Sequence, residues 1–370
     1  MNLSRPDREC LAHELDQFDP TLPLDRAQRP PVSWFLDPWM FQLQQRYIFR
    51  RTWQIAALQD GISEPESVCC IQIAGHPMVL VRDREGVLRA FPNSCTHWGT
   101  QLFDADCAST ERIQCPNHRW TWNLKGELRI APDTPDGFCR AGMHNLKSFP
   151  VREWGPFVWV CMDSDPPDFA ETMGSLYERG SHFAAMEYAG KDTHDIHASW
   201  LHVMDNYNDG LYHRSAHPSL AATISPDYRV EVSSHFALQY APFKQESGTV
   251  RSGTARYWSL FPNTMFNESG DRVLDVNVVE PVAPDRCMLH FYYFFAKDVG
   301  SSFREDSTRS SRETQGEDNV LCARIRGGLS LSYDRPGSYV PDKEAAVFRW
   351  HQLVHEHLLP AAYPPSDELL

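Results

Sequence analysis

The sequence predicts an α+β fold in which a β-rich region precedes a region of mixed helices and strands. Three observations support this prediction: short alternating apolar runs across residues 54–162, strand candidates between about 228 and 296, and helical periodicity around 196–218 and again from about Asp342. At 370 residues the chain exceeds one typical compact core, so two domains or one large composite domain are both open.

The composition is that of a globular protein without a basic binding surface. Apolar residues make up 42% and charged residues 23%, with a formal net charge of −14. Nucleic acids and anionic membranes attract basic patches, so neither is an expected partner. The N-terminus has no apolar signal-peptide core, and no stretch approaches the roughly 20 apolar residues that span a bilayer. Ten cysteines are too few for a secreted disulfide scaffold, so we expect a cytoplasmic protein.

Changes of pattern divide the chain into four segments. We predict an N-terminal arm, a helix that packs on the larger domain, an all-β domain and a mixed domain, over residues 1–30, 31–53, 54–165 and 166–370. Asp37 is suited to cap the helix, and Pro38 suits its first position. Met40, Leu43 and Tyr47 recur at helical spacing, which predicts one buried face.

Two pairs of metal-ligand residues lie inside the β-rich segment. Cys95 and His97 form C-x-H, and after seventeen residues Cys115 and His118 form C-x-x-H. Two thiolates can hold one iron of a [2Fe–2S] cluster while two imidazoles hold the other. A structural zinc site is the alternative, but zinc modules of this kind favour paired cysteines over a C-x-H loop.

The two loops resemble a known cluster-binding domain. Asn93-Ser-Cys-Thr-His-Trp-Gly and Cys115-Pro-Asn-His-Arg-Trp-Thr-Trp resemble the Rieske domain of ring-hydroxylating and related oxygenases. That family commonly has Arg at the position of Trp98 and Gly at the position of Arg119. These departures flank the ligands without removing any, so they concern the surroundings and docking surface of the cluster.

A second metal motif lies in residues 205–220. His213 and His217 stand at i and i+4, adjacent on a predicted helix face, and Asp209 extends that face by one turn. Two His and one carboxylate form the facial triad of non-haem Fe(II) oxygenases, which leaves positions open for O2 and substrate. Alone, such a histidine pair is about as often hydrogen-bonded within the protein or solvent-facing as it is metal-binding.

The segment resembles the catalytic motif of the choline monooxygenase branch of Rieske oxygenases, D-N-Y-x-D-G-x-Y-H-x4-H. This chain has H-x3-H, one residue shorter between His213 and His217. If the shortening displaces His217, His202 and His197 are the reserve candidates, although a structural or surface role is favoured for each.

The resemblance also implies the third ligand and a bridging acid. Residues 315–329 resemble the family segment E-D-x-x-L-C-E-x-V-Q-R-G-L, whose Asp ligates iron; Asp318 takes that position, with Glu317 as its alternative. A helix N-cap or first-turn charge is the other interpretation of both. In the family, the acid at the position of Asp209 links a His of the iron site to a cluster His of the next chain in a head-to-tail homotrimer. A solvated helix acid is the alternative.

The implied fold is an all-β Rieske domain with a helix-grip catalytic domain, in which an antiparallel sheet wraps a long helix. The implied reaction uses O2 and two electrons to oxidise a small organic substrate, with monooxygenation by hydroxylation or oxidative N-dealkylation favoured. A separate flavin and iron–sulfur reductase must supply the electrons from NAD(P)H, because the chain shows no nucleotide-binding glycine loop.

The branch resemblance suggests a small quaternary ammonium substrate held by cation–π attraction. The aromatic candidates, for which core packing is the more common role, are Trp258, Phe261, Phe266, Tyr292 and Phe294. A ring-hydroxylating dioxygenase of aromatic compounds is the first alternative. An electron-transfer or small-molecule-binding module without oxygenase activity is the second, and the full ligand set argues against it.

Overall fold

The computed structural model describes most of the chain, with the backbone alone at 140 and 141. The described residues are 3–106, 109–210, 217, 222–244, 253–329, 331, 336–341 and 343–364. They form two compact units, a smaller one at Phe49–Pro167 and a larger one that joins Met1–Ile48 to Asp168–Leu370. The smaller unit therefore extends slightly beyond the segment 54–165, and the N-terminal segments up to Ile48 belong to the larger unit.

The smaller unit is an all-β structure. Its described strands are β1 (Gln54–Leu58), β2 (Val68–Ile73), β3 (His76–Arg82), β4 (Leu88–Pro92), β5 (Ile113–Gln114), β6 (Thr121–Trp122), β7 (Leu128–Ile130), β8 (Val151–Trp154) and β9 (Phe157–Val160). They pair antiparallel in three sheets, ordered β1–β9–β8, β2–β3–β4 and β5–β6–β7. Val79, Val81 and Phe91 pack with the two loop cysteines in one core cluster, so the sheet core supports the loops.

An antiparallel sheet forms the centre of the larger unit. Its strands are β10 (Glu187–Ile196), β11 (Arg229–Val232), β12 (Phe236–Pro242), β13 (Thr254–Leu260), β14 (Thr264–Ser269), β15 (Val273–Ala283) and β16 (Arg286–Phe295). Their order across the sheet is β10–β16–β15–β14–β13–β12–β11. The described helices are α1 (Arg5–Leu15), α2 (Ser33–Leu36), α3 (Pro38–Gln44), α4 (Phe169–Met173), α5 (Gly180–Ala184), α6 (Trp200–Asn208), α7 (Ser301–Leu329) and α8 (Ala345–Ala362). The α+β prediction is confirmed.

Side-chain alternation along the strands decides which residues face the interior cavity. Tyr257 on β13 and Met265 on β14 line the cavity, which α6 and α7 close from the other side. Their neighbours Trp258 and Phe266 point to the opposite face of the sheet, where Phe183 of α5 stacks on Phe266 with ring centroids 5.8 Å apart. A shift of one residue along a strand exchanges these two faces.

The N-terminal segment is more regular than predicted. Residues 1–30 were predicted to form an N-terminal arm, but α1 forms there, with Leu11 and Leu15 fully buried. Helix α1 packs on α8, and Phe18 extends this contact by meeting Phe348 of α8 edge-on, with ring centroids 5.8 Å apart. The helix was not predicted because two leucines four residues apart are too short a stripe to show periodicity in a charged segment.

The predicted helix 31–53 is present but broken into shorter pieces. Asp37 caps α3 by accepting hydrogen bonds from the backbone N–H groups of Trp39 and Met40, at 2.9 and 2.8 Å. Pro38 occupies the first helical position, so both capping predictions are confirmed. A π-helical turn follows at Gln45–Phe49, inside the predicted helix, and β1 begins at Gln54, just beyond it.

In the described ranges, no helix combines the length and apolar character needed to cross a membrane.

Candidate functional site

The two cysteine–histidine loops of the smaller unit have the same backbone geometry. Each cysteine N–H donates to the carbonyl five residues ahead, and each cysteine carbonyl accepts from the N–H four residues ahead. The four bonds are Cys95 N to Thr100 O at 2.8 Å, Gly99 N to Cys95 O at 2.9 Å, Cys115 N to Trp120 O at 2.8 Å, and Arg119 N to Cys115 O at 3.1 Å. The repetition places Cys95 and Cys115 at the same position of two matching turns.

The four candidate cluster ligands converge as two pairs. Cys95 and Cys115 are buried, with their thiols in hydrogen-bonding reach of each other. His97 and His118 are exposed, and their ring centroids are 4.8 Å apart. Burial is the main cause that raises the pKa of Cys95, and the Cys115 thiol raises it further, whereas a bound metal would deprotonate the coordinating thiols. Two inner thiols and two outer imidazoles fit a [2Fe–2S] cluster with its two types of iron ligand.

Arg119 occupies a backbone conformation that favours glycine. Its φ is +59°, and the corresponding residue of the other loop, Gly99, has φ +74°. A side chain in this region is strained, which explains why the resembled family commonly has Gly there. The departure at Arg119 therefore keeps the loop geometry.

Trp98 and Trp120 enclose one candidate cluster ligand between them. The ring of Trp120 stacks on His97 with centroids 4.6 Å apart, and Trp98 lies 5.1 Å from the same imidazole. Trp98 also meets His118 edge-on at 4.9 Å while 73% of its surface stays exposed. The departure at Trp98 therefore gives the surface around both histidines an apolar character.

In the larger unit, His217 and Asp318 meet at the cavity. The Nε2 atom of His217 is 3.0 Å from Oδ1 of Asp318, and the side chain of His217 is fully buried. Two ligands held about 2.1 Å from one ion at right angles would also lie about 3.0 Å apart. Asn206 donates to the same Asp318 oxygen at 2.9 Å, which orients the carboxylate. These donors fit a mononuclear iron; His213, the other predicted ligand, lies outside the described residues.

Glu317 binds the other nitrogen of His217. Its Oε2 atom is 2.6 Å from Nδ1 of His217, so Glu317 can accept a hydrogen bond from Nδ1 and orient the ring with Nε2 facing Asp318. Burial lowers the pKa of His217, but the hydrogen bonds and charges of Asp318 and Glu317 outweigh it, and the net shift is upward. Sequence reasoning placed Glu317 as an alternative ligand, whereas the structure gives it the position of an orienting acid.

Asp209, His213 and His217 were predicted to share one helix face. This prediction is wrong for Asp209 and His217, neither of which lies within a helix. Helix α6 ends at Asn208, and Asp209 caps its C-terminus with an extended backbone at ψ 109°. Gly210 follows, where a Cβ would lie 3.2 Å from the carbonyl oxygen of Lys343, and His217 has no helical conformation. The Asp-Gly pair is a helix-stop signal that the spacing argument overlooked.

The reserve histidines occupy other surroundings. His197 is exposed. The Nδ1 atom of His202 lies 2.9 Å from Oγ of Ser199, and its ring stacks on Phe35 at 4.4 Å. Burial lowers the pKa of His202 to about 4. These contacts support the structural role that the sequence favoured for His202.

His202 should make the fold sensitive to acid. The pKa of His202 is about 4 in the folded protein, below the ordinary histidine value of about 6.5, so the unfolded chain binds the proton more strongly. Stability should fall as the pH drops below about 6.5, with a loss on the order of 3 kcal/mol once the pH is below about 4. We expect His202→Asn to reduce this loss in chemical unfolding measured between pH 7 and pH 4. Identical pH profiles for the variant and the wild type would contradict the assignment.

The cavity is lined by both polar and apolar residues and has a volume of about 230 Å³. Its aromatic lining residues are Tyr207, Tyr228, Tyr257 and Phe291. The five aromatic residues proposed from the sequence are not among the described lining residues, because they lie in the core or on the other face of their strands. Sequence reasoning also missed Asp275 and Asn277, whose two-residue spacing in a mostly apolar strand was a signal for a polar inner face.

Two family models match the chain in succession. One is the Rieske [2Fe-2S] domain, over residues 52–150, and the other is the ring hydroxylating alpha subunit (catalytic domain), over residues 183–359. The chain is 27% identical to the chloroplastic choline monooxygenase of Atriplex hortensis over 356 residues, covering 92% of this chain and 80% of that protein. It is 25% identical to the carnitine monooxygenase oxygenase subunit of Acinetobacter pittii, covering 91% and 97%. The fold is similar to that of a quaternary ammonium Rieske monooxygenase, with a TM-score of 0.80 at 22% identity over 96% of this chain and 99% of that one.

Proposed function

Because this chain belongs to the alpha subunits of the Rieske non-haem iron oxygenases, we propose that it is a monooxygenase that oxidises a small organic substrate in the cavity beside Asp318. The pairing of buried His217 with Asp318 at the cavity wall, 3.0 Å apart, is the observation that carries this proposal. A chain that served as an electron-transfer or binding module alone would have no need to keep this pair.

The residues that would hold the two cofactors follow from the site geometry. The family carries a Rieske [2Fe–2S] cluster and a mononuclear non-haem iron, and a reductase supplies its electrons. We assign the cluster to Cys95, His97, Cys115 and His118, and the iron to His213, His217 and Asp318. When bound, the cluster transfers single electrons and the mononuclear iron activates O2.

The protein's own groups orient these ligands and shape the substrate site. Glu317 can accept a hydrogen bond from Nδ1 of His217, which directs Nε2 into the site. Asn206 fixes the Asp318 carboxylate. The sheet and the two helices limit the cavity to about 230 Å³, below the roughly 300–1,000 Å³ of drug-sized sites, so the substrate is small.

We further propose a quaternary ammonium substrate, supported by the names of the choline and carnitine monooxygenases among the relatives. The family description "ring hydroxylating" keeps an aromatic substrate as the second candidate, which the tyrosines of the wall also suit. The proposal includes a flavin and iron–sulfur reductase as partner, a homotrimer in which Asp209 links two metal sites, and a cytoplasmic location.

A coupled turnover screen tests the function. Protein loaded with both cofactors, a reductase and NADH should consume O2 when quaternary amines are added, with one product formed per NADH and no peroxide. Aromatic acids serve as the comparison set. About three irons per chain are expected, and about two would indicate a module without the mononuclear iron. Incorporation of both oxygen atoms into an aromatic ring would contradict monooxygenation.

A further inference from the structure

A network of buried ionisable side chains joins α6 to the N-terminal segment and to α8. Asp205 of α6 has 7% of its surface exposed, and His351 of α8 is fully buried. The Oδ2 atom of Asp205 lies 3.2 Å from Nε2 of His351 and 3.3 Å from Nη1 of Arg29. A buried ion pair is often no more stabilising than apolar residues of similar volume, so stability alone does not explain this network.

The chemistry of the groups fixes the direction of these hydrogen bonds. A carboxylate that is paired with a guanidinium only accepts, so Nε2 of His351 donates to Asp205. The hydroxyl oxygen of Tyr339 lies 2.6 Å from Nδ1 of His351. Burial is the main cause that raises the pKa of Tyr339 well above its ordinary range, and the charge of Asp205 raises it further, so the hydroxyl group stays protonated. His351 is held at both nitrogens and gives Asp205 a fixed partner.

The last turn of α6 connects Asp205 to the candidate iron site. Successive residues of a helix point about 100° apart. Asp205 therefore meets His351 of α8, while the next residue, Asn206, donates to Oδ1 of Asp318 on α7 at 2.9 Å. The carbonyl oxygen of Asp205 also accepts the backbone N–H of Asp209 at 2.9 Å. One residue thus contacts both the group behind it and the turn that orients the iron carboxylate.

Hydrogen bonds determine how this turn is rotated, because its four side chains include no aliphatic group. The hydroxyl group of Tyr207 donates to Oδ1 of Asn267 on β14 at 2.9 Å. Asn208 accepts from Oγ of Ser259 on β13 at 2.6 Å. These two contacts hold the turn on the side of the sheet, and Asp205 holds it on the side of α8.

We propose that Asp205 is a positioning residue for the mononuclear iron site. Its contacts with α8 and with Arg29 set the rotation of the last turn of α6, and this rotation directs Asn206 to Asp318. The inference rests on the proposed function, because it assigns the support of the same iron site. Without the charge of Asp205, the Asp318 carboxylate should lose its single orientation, and iron should bind more weakly.

Iron titration tests the proposal without catalysis. Protein that carries its cluster but lacks the mononuclear iron is titrated with Fe(II), without O2, reductase or substrate. Nitric oxide is then added in an amount equal to the bound iron, and the electron paramagnetic resonance signal of the iron–nitrosyl adduct reports the ligand arrangement by its shape. Asp205→Asn should bind Fe(II) about tenfold more weakly and give a broader adduct signal, while the signal of the reduced cluster is unchanged.

Glu344→Gln is the matched control. Glu344 has 6% of its surface exposed and bonds to Arg29 at 2.7 Å, so it shares the burial and the cationic partner of Asp205. It caps the N-terminal end of α8 and accepts the backbone N–H of Val340. This variant should keep the wild-type iron affinity. Equal losses in the two variants, or wild-type iron binding in Asp205→Asn, would overturn the proposal.

Variants at His351 provide the test if Asp205→Asn does not fold. His351→Gln keeps an N–H group that can donate to Asp205, so iron affinity should stay near that of the wild type. His351→Met fills a similar volume without a donor and should lose about as much affinity as Asp205→Asn. Wild-type iron binding in His351→Met would overturn the positioning role.

The iron and turnover results separate the two proposals. Weaker iron binding in Asp205→Asn, with no substrate oxidation by the wild type, would support the positioning role and contradict the oxygenase function. Substrate oxidation by the wild type, with unchanged iron binding in Asp205→Asn, would support the oxygenase and overturn the positioning role.

Discussion

Asp318→Ala should eliminate the mononuclear iron and abolish substrate oxidation while leaving the cluster intact. The variant loses the carboxylate that lies 3.0 Å from Nε2 of His217, and the two candidate metal sites lie in separate compact units. Coupled oxidation should fall by roughly a thousandfold or more, because the metal contributes the whole reaction centre. Iron should fall from about three to about two per chain, with an unchanged electron paramagnetic resonance signal of the reduced cluster.

Two further variants control this experiment. His217→Ala should behave like Asp318→Ala. Glu317→Gln keeps the ligands and loses only the orienting charge on Nδ1, so iron affinity should fall by about 10–100-fold while turnover persists at saturating iron. Full activity in His217→Ala would show that another residue ligates the iron, and full iron content in Asp318→Ala would exclude that carboxylate as a ligand.

The parts of the fold that were predicted correctly depend on local signals. Asp37 and Pro38 form a cap within three residues of sequence, and short apolar runs such as 78–81 form strands whose pattern needs no distant partner. Helix α1 was missed because its stability comes from packing on α8, over 300 residues away. Tertiary packing of this kind leaves no mark on local periodicity.

The candidate site shows the same division. Fixed spacing within two short loops identifies Cys95, His97, Cys115 and His118. The structure brings these four residues together. The orienting role of Glu317 depends on a contact across 100 residues, which no spacing rule contains. The substrate aromatics were placed on the wrong strand face, because alternation gives two faces without stating which one is enclosed by α6 and α7.

Asp209→Asn should uncouple the two metal sites without emptying either. Asp209 is half-buried at the C-terminal end of α6. Burial is the main cause that raises the pKa of Tyr228, and the charge of Asp209 raises this pKa further. Asp209 therefore lies near the cavity wall, which Tyr228 lines. We propose that its carboxylate accepts hydrogen bonds from an imidazole of the iron site and from a cluster imidazole of a neighbouring chain.

The asparagine variant keeps the size of the side chain and removes its charge, so both metals should stay bound and the reductase should reduce the cluster at the normal rate. Electron delivery from the cluster to the mononuclear iron should fall by about a hundredfold or more, because the two imidazoles lose the carboxylate that accepts a hydrogen bond from each of them. Single-turnover mixing of pre-reduced protein with O2 and substrate measures this step as the rate of cluster reoxidation. Asp227→Asn, at an exposed acid paired with Arg229, is the control and should react like the wild type. Wild-type reoxidation in Asp209→Asn would exclude the bridge, and loss of iron would instead make Asp209 a ligand.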